Sequence, residues 1–346
     1  MREILGLEIP ELAEAVGGPA YRATQLFEWL YARNVQNFSA MTSLSKAQRT
    51  DFAERFAVTL PQVLQIQQAR DGTSKYALRS GGETMEMVHM PEEKRDTLCI
   101  SSQAGCSFGC KFCVTARMNL RRHLTAGEIV GQVLLALQRH GRPRPFNVVF
   151  MGMGEPLHNY DSVMKAFRLM SHPRGLAISP RRITVSTVGL LPALERLKTE
   201  PVFPNLAVSL NAPNNALRSE LMPVNRLYPI EALMKTLAGL PVRQRRRITF
   251  EYVLLRGVND SEAHAHQLVD VTSTVRCKIN LIPLNPDEHV PYERPDDDTV
   301  SRFAGVLAGG GRTVAVRRSR GPDISAACGQ LGTQYIDPVL VPLALK

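Results

Sequence analysis

From residue 96 onward the chain repeats one unit: a short apolar run, a loop with glycine or polar residues, then a helical stretch. The apolar runs fall at residues 98–101, 147–151, 183–186, 206–210, 248–255, 277–282 and 313–316. Thr125-Ala-Gly-Glu128 is a capping box that opens one intervening helix, and Asn259-Asp260-Ser261 can cap another. A helix between two strands carries the chain back across the sheet, so consecutive strands run parallel. The pattern therefore predicts an α/β fold, either an open doubly wound sheet or a full or partial barrel. In each of these, ligands gather in the loops beyond the strand carboxyl ends.

Residues 1–90 are patterned differently. Residues 19–33 carry Leu26, Phe27, Trp29 and Leu30 at helical spacing, and residues 45–56 read as a second amphipathic helix. A β-meander is expected over residues 63–68, 75–78 and 84–89, with turns at Asp71-Gly72 and Gly81-Gly82. We read residues 1–90 as an accessory domain of helices plus meander, placed ahead of a core spanning 91–346.

The loop after the first core strand carries Gly-Cys-Ser-Phe-Gly-Cys-Lys-Phe-Cys, with Cys106, Cys110 and Cys113 spaced C-x3-C-x2-C. Structural zinc sites and ordinary ferredoxin clusters close their coordination with four protein ligands. Three thiolates on a cubane 4Fe-4S cluster leave one iron open to a small molecule. S-adenosylmethionine (SAM) can fill that position through its amino and carboxylate groups, and an electron from the cluster can then break its sulfonium bond to give a carbon radical. A zinc site completed by a distant ligand such as His123, or three unrelated buried thiols, are the alternatives that spacing alone leaves open.

The loops after later strands also carry site-like residues. Gly152-Met-Gly-Glu-Pro156 follows the second core strand, and its Glu155 is a carboxylate placed to pair with an ammonium. Ser186 lies at the end of the next strand, Ser209-Leu210-Asn211 at the end of the one after, and Asn285 beyond residue 282. Cys277 reads as a small hydrophobe and Cys99 as a strand residue that could be core, whereas Cys328 lies in a polar, glycine-bearing segment that suits a reactive thiol.

With 346 residues and 44% hydrophobic content, the chain can bury one large core or two domains. Its first residues lack the apolar run of a signal peptide, and no stretch approaches the roughly 20 apolar residues of a membrane span. A cytoplasmic protein with reduced thiols is expected, which favours metal ligands and reactive groups over a disulfide framework. Net charge is +10, and the cations recur in clusters: Arg117, Arg121 and Arg122; Arg142 and Arg144; Arg181 and Arg182; Arg243, Arg245, Arg246 and Arg247; Arg317, Arg318 and Arg320. Such recurrence favours a nucleic-acid partner.

Taken together, these motifs resemble the RlmN/Cfr family of radical-SAM RNA methyltransferases over nearly the whole chain. The resemblance is carried by Cys99-Ile-Ser-Ser-Gln-Ala-Gly-Cys106, the cysteine triad, Met151-Gly-Met-Gly-Glu-Pro156 and Thr184-Val-Ser-Thr187. It continues through Glu251-Tyr-Val, Gly257-Val-Asn-Asp260, Asn280-Leu-Ile-Pro283 and Ala327-Cys328-Gly-Gln-Leu331. It implies a partial (β/α) barrel with a 4Fe-4S cluster at its mouth, held by Cys106, Cys110 and Cys113, and two SAM molecules per turnover. Adenine carbons 2 and 8 are not nucleophilic, so the family first methylates the thiolate matching Cys328. A radical from a second SAM takes hydrogen from that S-methyl group, and the resulting methylene radical adds to adenine. The residue matching Cys99 then resolves the protein–RNA adduct through a disulfide with Cys328.

The same resemblance implies SAM contacts from Gly154, Glu155, Ser186, Ser209, Leu210, Asn211 and Asn285, and it puts Glu86 at the family's proposed acceptor of the adenine proton. The family commonly has His where this chain has Asn211. Asn keeps hydrogen-bonding capacity and loses titration near neutral pH, so a SAM contact can survive there and a proton transfer cannot. Retained activity is expected, with SAM bound no tighter after Asn211→His.

The substrate implied is an adenosine of 23S ribosomal RNA at the peptidyl-transferase centre, together with transfer RNA, methylated at carbon 2. The rival is Cfr-type methylation at carbon 8, and a different class is a non-catalytic iron–sulfur RNA-binding protein, which would need neither Cys99 nor Cys328. A flavodoxin or ferredoxin as electron donor, a monomeric state and no membrane partner complete the expectation.

Overall fold

The computed structural model describes residues 1–141, 146–242 and 246–332. An N-terminal layer holds helices α1 (Ile9–Val16), α2 (Ala20–Phe27) and α3 (Lys46–Arg55). Ser45 caps α3 and Gln48 returns the bond, a complete capping box. The helix expected over 19–33 divides: α2 ends at Phe27 and the chain continues as a wider π turn over Glu28–Ala32.

Ten strands then form one sheet: β1 (Gln62–Gln68), β2 (Ser74–Ser80), β3 (Glu83–Pro91), β4 (Asp96–Cys99), β5 (Phe146–Phe150), β6 (Ile183–Thr187), β7 (Asn205–Ser209), β8 (Ile248–Leu254), β9 (Cys277–Pro283) and β10 (Val314–Val316). Their order across the sheet is their order along the chain. β4 to β10 are parallel, and helices α4 (Ala126–His140), α5 (Tyr160–Ser171), α6 (Leu191–Leu197), α7 (Asn215–Leu221), α8 (Ile230–Ala238), α9 (Glu262–Val271) and α10 (Asp297–Gly309) fill the crossovers. A doubly wound sheet needs a point where the order reverses. None occurs between β4 and β10, so of the alternatives the architecture is the one-way winding of a partial (β/α) barrel.

The meander of β1–β3 extends this same sheet. β3 runs antiparallel to β4 with Val88 opposite Cys99 and Met90 opposite Thr97, so a boundary at residue 90 falls inside β3, itself hydrogen-bonded to β4. The physical reason is that β4 would otherwise present an edge of unpaired backbone groups. The N-terminal helices pack on the outside of the barrel. Gly6 and Gly127 meet so closely that a Cβ on Gly6 would lie 2.5 Å from the Gly127 nitrogen, and Glu11–Lys165 and Glu8–Arg168 ion pairs of 2.7 and 2.8 Å tie α1 to α5.

Alternation sets the two faces of the parallel strands. In β5, Phe146, Val148 and Phe150 are buried towards the helices, while Asn147 and Val149 keep some exposure on the inner face. β6 repeats this with Ile183 and Val185 outward and Ser186 inward. The expected cap of α4 is present, with Thr125 accepting from Glu128 N–H at 3.2 Å. Ser261 caps α9, whereas Asn259 is buried, donating to the Asn211 and Val253 carbonyls at 2.8 and 2.7 Å.

Candidate active site

The strand registers place several of the expected site residues in one row on the inner face. Cys99 lies opposite Val88 and Val149, Val149 opposite Thr184, Ser186 opposite Ala207, and Ser209 opposite Glu251, which lies opposite Asn280. Two-residue alternation brings Glu86 onto the same face as Val88. Cys99, Glu86, Ser186, Ser209 and Glu251, up to 165 residues apart in sequence (251 minus 86), thus share one concave surface.

The cysteine loop rises from β4 at the carboxyl end of this surface. Its base is a two-stranded ladder of Gln103–Ala104 with Arg122–His123, and Gly105, at φ +77°, has no room for a side chain against the Asn119 carbonyl. Burial is the first cause that raises the thiols of Cys106, Cys110 and Cys113, with Cys106 pushed up to about 12. Cys110 is further opposed by the charges of Cys113, Cys106 and Glu155. Thiols so placed ionise only against added positive charge, which is what ligated iron supplies. Among the described residues no three His, Cys, Asp or Glu side chains converge closely enough for a single metal ion. A cubane cluster binds each thiolate to a different iron, so its ligands stand farther apart, and this donor set fits it.

Cys328 is carried on a C-terminal strap, residues 320–332, that crosses the mouth. Asn285 Nδ2 donates to the Cys328 carbonyl at 3.1 Å, Val114 N–H to the Gly329 carbonyl at 2.8 Å and Thr115 Oγ1 to the Leu331 carbonyl at 2.6 Å. Glu86 accepts from Gly332 N–H at 2.8 Å, while Lys75 pairs with Glu86 at 3.8 Å and donates to the Ser325 carbonyl at 3.3 Å. The strap therefore rests on the cluster loop, on β2 and β3, and on the loop after β9. Cys328 keeps solvent access but is walled by protein; that walling, followed by the charge of Glu251, raises its thiol. Cys99 is buried and its thiol is likewise raised, first by burial and then by the charge of Cys328, its neighbour across the site. All six cysteines are free thiols, so the expected Cys99–Cys328 bond is not present in this structure.

Two family models match the chain: the Radical SAM superfamily over residues 100–269, and the ribosomal RNA large subunit methyltransferase N-terminal domain over residues 3–58. Proteins named dual-specificity RNA methyltransferase RlmN are similar throughout. The one from Geobacter sulfurreducens is 49% identical, covering 96% of this chain and 92% of its own. The one from Syntrophobacter fumaroxidans is 47% identical, covering 95% and 96%. This chain belongs to the RlmN family of radical-SAM methyltransferases. The crystal structure of a radical SAM methyltransferase from Sphaerobacter thermophilus superposes with a TM-score of 0.90 at 44% identity, covering 96% of this chain and 99% of the other.

RlmN membership implies a 4Fe-4S cluster and SAM, and the remaining expected contacts lie around the triad in different ways. Gly154, at φ +99°, packs so tightly that a Cβ would lie 2.5 Å from Gln103 Cβ. Glu155 is buried; its two oxygens accept from Leu157 and Val188 N–H at 2.9 and 2.8 Å, and burial pushes its carboxyl up to about 7 against those bonds. Ser186 and Ser209 stand at the carboxyl ends of β6 and β7. The Leu210 side chain belongs to the hydrophobic core. Asn211 directs its side chain into the fold, where Oδ1 accepts from Val253 N–H at 2.8 Å and Nδ2 meets Met222 Sδ at 3.2 Å. Its φ of +56° is a left-handed conformation that Asn and His both adopt more readily than most residues. Asn285 has both amide ends engaged, on Cys328 and Ser319.

The basic clusters divide as well. Arg121, Arg181, Arg317 and Arg318 are exposed. Arg122 is held by Glu128, Arg246 by the Phe203 carbonyl, Arg247 by Thr313, and Arg320 by Asp71 and Glu92. Arg142, Arg144, Arg243 and Arg245 lie outside the described residues. Sequence reasoning missed Lys75, Arg218 and the side chain of Glu251 as residues of the site. The alternation in β2 and β8 was the available signal for Lys75 and Glu251; Arg218, on a short helix, gave none.

Proposed function

We propose that this RlmN-family chain methylates carbon 2 of an adenosine in 23S ribosomal RNA, and in transfer RNA, with Cys328 carrying the methyl carbon. The observation that carries the reading is the strap: it presents an accessible Cys328 to the inner face where Cys99 is its neighbour. Cys106, Cys110 and Cys113 would hold the cluster, with Gly154, Glu155, Ser186, Ser209, Leu210, Asn211 and Asn285 around the SAM position, two SAM molecules being used per turnover. Bound there, cluster and SAM supply the methyl group and the radical chemistry that an unreactive adenine carbon requires.

The chain's own residues do the rest. Cys328 acts as the thiolate that accepts the methyl group, and its sulfur stays bonded to the carbon that joins adenine. Glu86, buried beneath the strap, takes the adenine proton. Cys99, as a thiolate, then attacks the Cys328 sulfur; the sulfur–carbon bond breaks, its electron pair leaves on the carbon and takes up a proton to complete the methyl group, and a disulfide remains to be reduced. Exposed arginines around the mouth supply phosphate contacts, and the helices within residues 1–90 act as the accessory RNA-binding region. The relatives' name, which specifies dual specificity, supports two RNA substrates. A monomer in the cytoplasm, reduced by flavodoxin or ferredoxin, completes the reading.

The test is mass spectrometry of nucleosides from 23S ribosomal RNA incubated anaerobically with reconstituted protein, methyl-labelled SAM and a reductant. Label in 2-methyladenosine is the expected result. Label in 8-methyladenosine would move the chain to the other branch with the same cysteine chemistry, and no labelled adenosine despite SAM cleavage would overturn the reading.

A further inference from the structure

Arg218 is the largest fully buried side chain of the described structure. It projects from α7, and its donors are all occupied. Nε donates to the Leu210 carbonyl at 3.1 Å, one terminal nitrogen to Asn225 Oδ1 at 2.9 Å and the Tyr228 carbonyl at 3.5 Å, and the other to the Val188 and Ser209 carbonyls at 2.8 and 3.2 Å. Every one of those acceptors is neutral. Among the described residues no carboxylate pairs with Arg218, and the acidic group that acts on it is the Cys110 thiol, which burial keeps in its neutral form until a metal is bound. Burial pushes the guanidinium down to about 10, which still leaves it charged at neutral pH.

A buried charge without an opposite charge is among the most unfavourable arrangements a fold can hold, and its hydrogen bonds offset only part of the lost hydration. The location accounts for it. The helix bearing Arg218 is bonded directly to the cysteine loop, with Lys111 N–H donating to the Leu221 carbonyl at 3.0 Å and Gly109 lying against Pro223. We propose that Arg218 is the fixed counter-charge of the cluster held by Cys106, Cys110 and Cys113, and that it raises the cluster's reduction potential. Three thiolates make the loaded site anionic, and reduction adds one more negative charge. A cation locked nearby in a water-poor environment stabilises the reduced form more than the oxidised one. The inference rests on the cluster assignment and not on which adenine carbon is methylated. The competing role, a clamp on the ends of β6 and β7, needs the hydrogen bonds but not the charge.

The test is a potentiometric titration of the cluster-loaded chain with dithionite, followed by electron paramagnetic resonance without RNA or SAM. Iron content and circular dichroism are checked for each variant. Arg218→Gln should lower the ratio of reduced to oxidised cluster at fixed potential about tenfold, which is 59 mV for a one-electron couple. Arg218→Lys, which keeps the charge and loses the fork, should stay near wild type. Asn225→Asp keeps Arg218 and sets a carboxylate against it, so it should follow Arg218→Gln; should the glutamine variant not fold, Asn225→Asp against Arg218→Lys decides. Unchanged potentials in loaded Arg218→Gln or Asn225→Asp would overturn the proposal and leave Arg218 as a clamp. A wild-type chain that takes up no iron would overturn the cluster assignment itself, and this inference with it.

Discussion

The two faces of β2–β4 bury titratable groups in opposite ways. Inward, Lys75 and Glu86 form an ion pair almost without solvent contact, and both also hold strap backbone, at Ser325 and Gly332. Outward, one residue along each strand, Tyr76 bonds His140 at 2.5 Å, His89 bonds Asp96 at 2.8 Å, and the two imidazoles stack at 3.8 Å against the end of α4. The inner face uses an ion pair to fix the strap beside Cys99. The outer face uses groups that can be neutral to join sheet and helix. The difference follows from position: an ion pair is tolerable in the interior where backbone groups also bond to it, and hydrogen-bonded, stacked rings serve where sheet and helix meet.

The largest effect should come from the inner face. Cys328→Ala should reduce transfer of labelled methyl to RNA to background while iron content and melting temperature stay at wild type, because the backbone of residue 328 makes the strap contact to Asn285. Methylation that survives would remove the cysteine relay. Cys99→Ala should stall one step later, as a covalent protein–RNA species seen as a nuclease-sensitive gel shift; normal turnover with only free protein would make Cys99 a core residue.

Lys75→Met tests whether the inner charges hold the strap. Removing one member of a buried pair costs about 3 kcal/mol, which urea denaturation should register, and methylation should slow as Ser325 loses its bond. Adding Glu86→Gln should recover part of the stability and none of the methylation. Equal stability of Lys75→Met and wild type would erase the contrast between the faces.

The smallest effect belongs to the outer face and depends on pH. Burial, and then the charge of His89, lower the pKa of His140 below its ordinary 6.5. In that interval the unfolded chain binds more protons than the folded one, so stability is present above pH 6.5 and falls as the pH drops through the folded value. His140→Asn should flatten this dependence in denaturation curves between pH 5 and 7. An unchanged slope would mean that the stacked imidazoles do not sense pH.

Much of this was legible in the sequence because it obeys local rules. Thr125 and Glu128 cap α4 as their spacing requires, Gly81-Gly82 turns β2 into β3, and the parallel runs lie near their expected positions. The cysteine triad marked the loop that rises from the carboxyl end of β4. Lys75 was not legible as part of the site, since one cation in a strand reads as solvent-facing until its partner is known. Arg218 was less so, because arginine is among the residues least often buried.

The sequence by itself determined the strand–helix alternation, the C-x3-C-x2-C spacing of three cysteines and the family, since each is a matter of residue type at short spacing. Only the tertiary structure decided what those pieces do to one another. It joined the meander to the core sheet, brought Gly332 to Glu86 across 246 residues and Ser325 to Lys75 across 250, and enclosed Arg218 among carbonyls. The physical reason is that spacing fixes which face a side chain occupies, whereas burial and charge pairing depend on which distant segment closes over it, and that choice belongs to the packed whole.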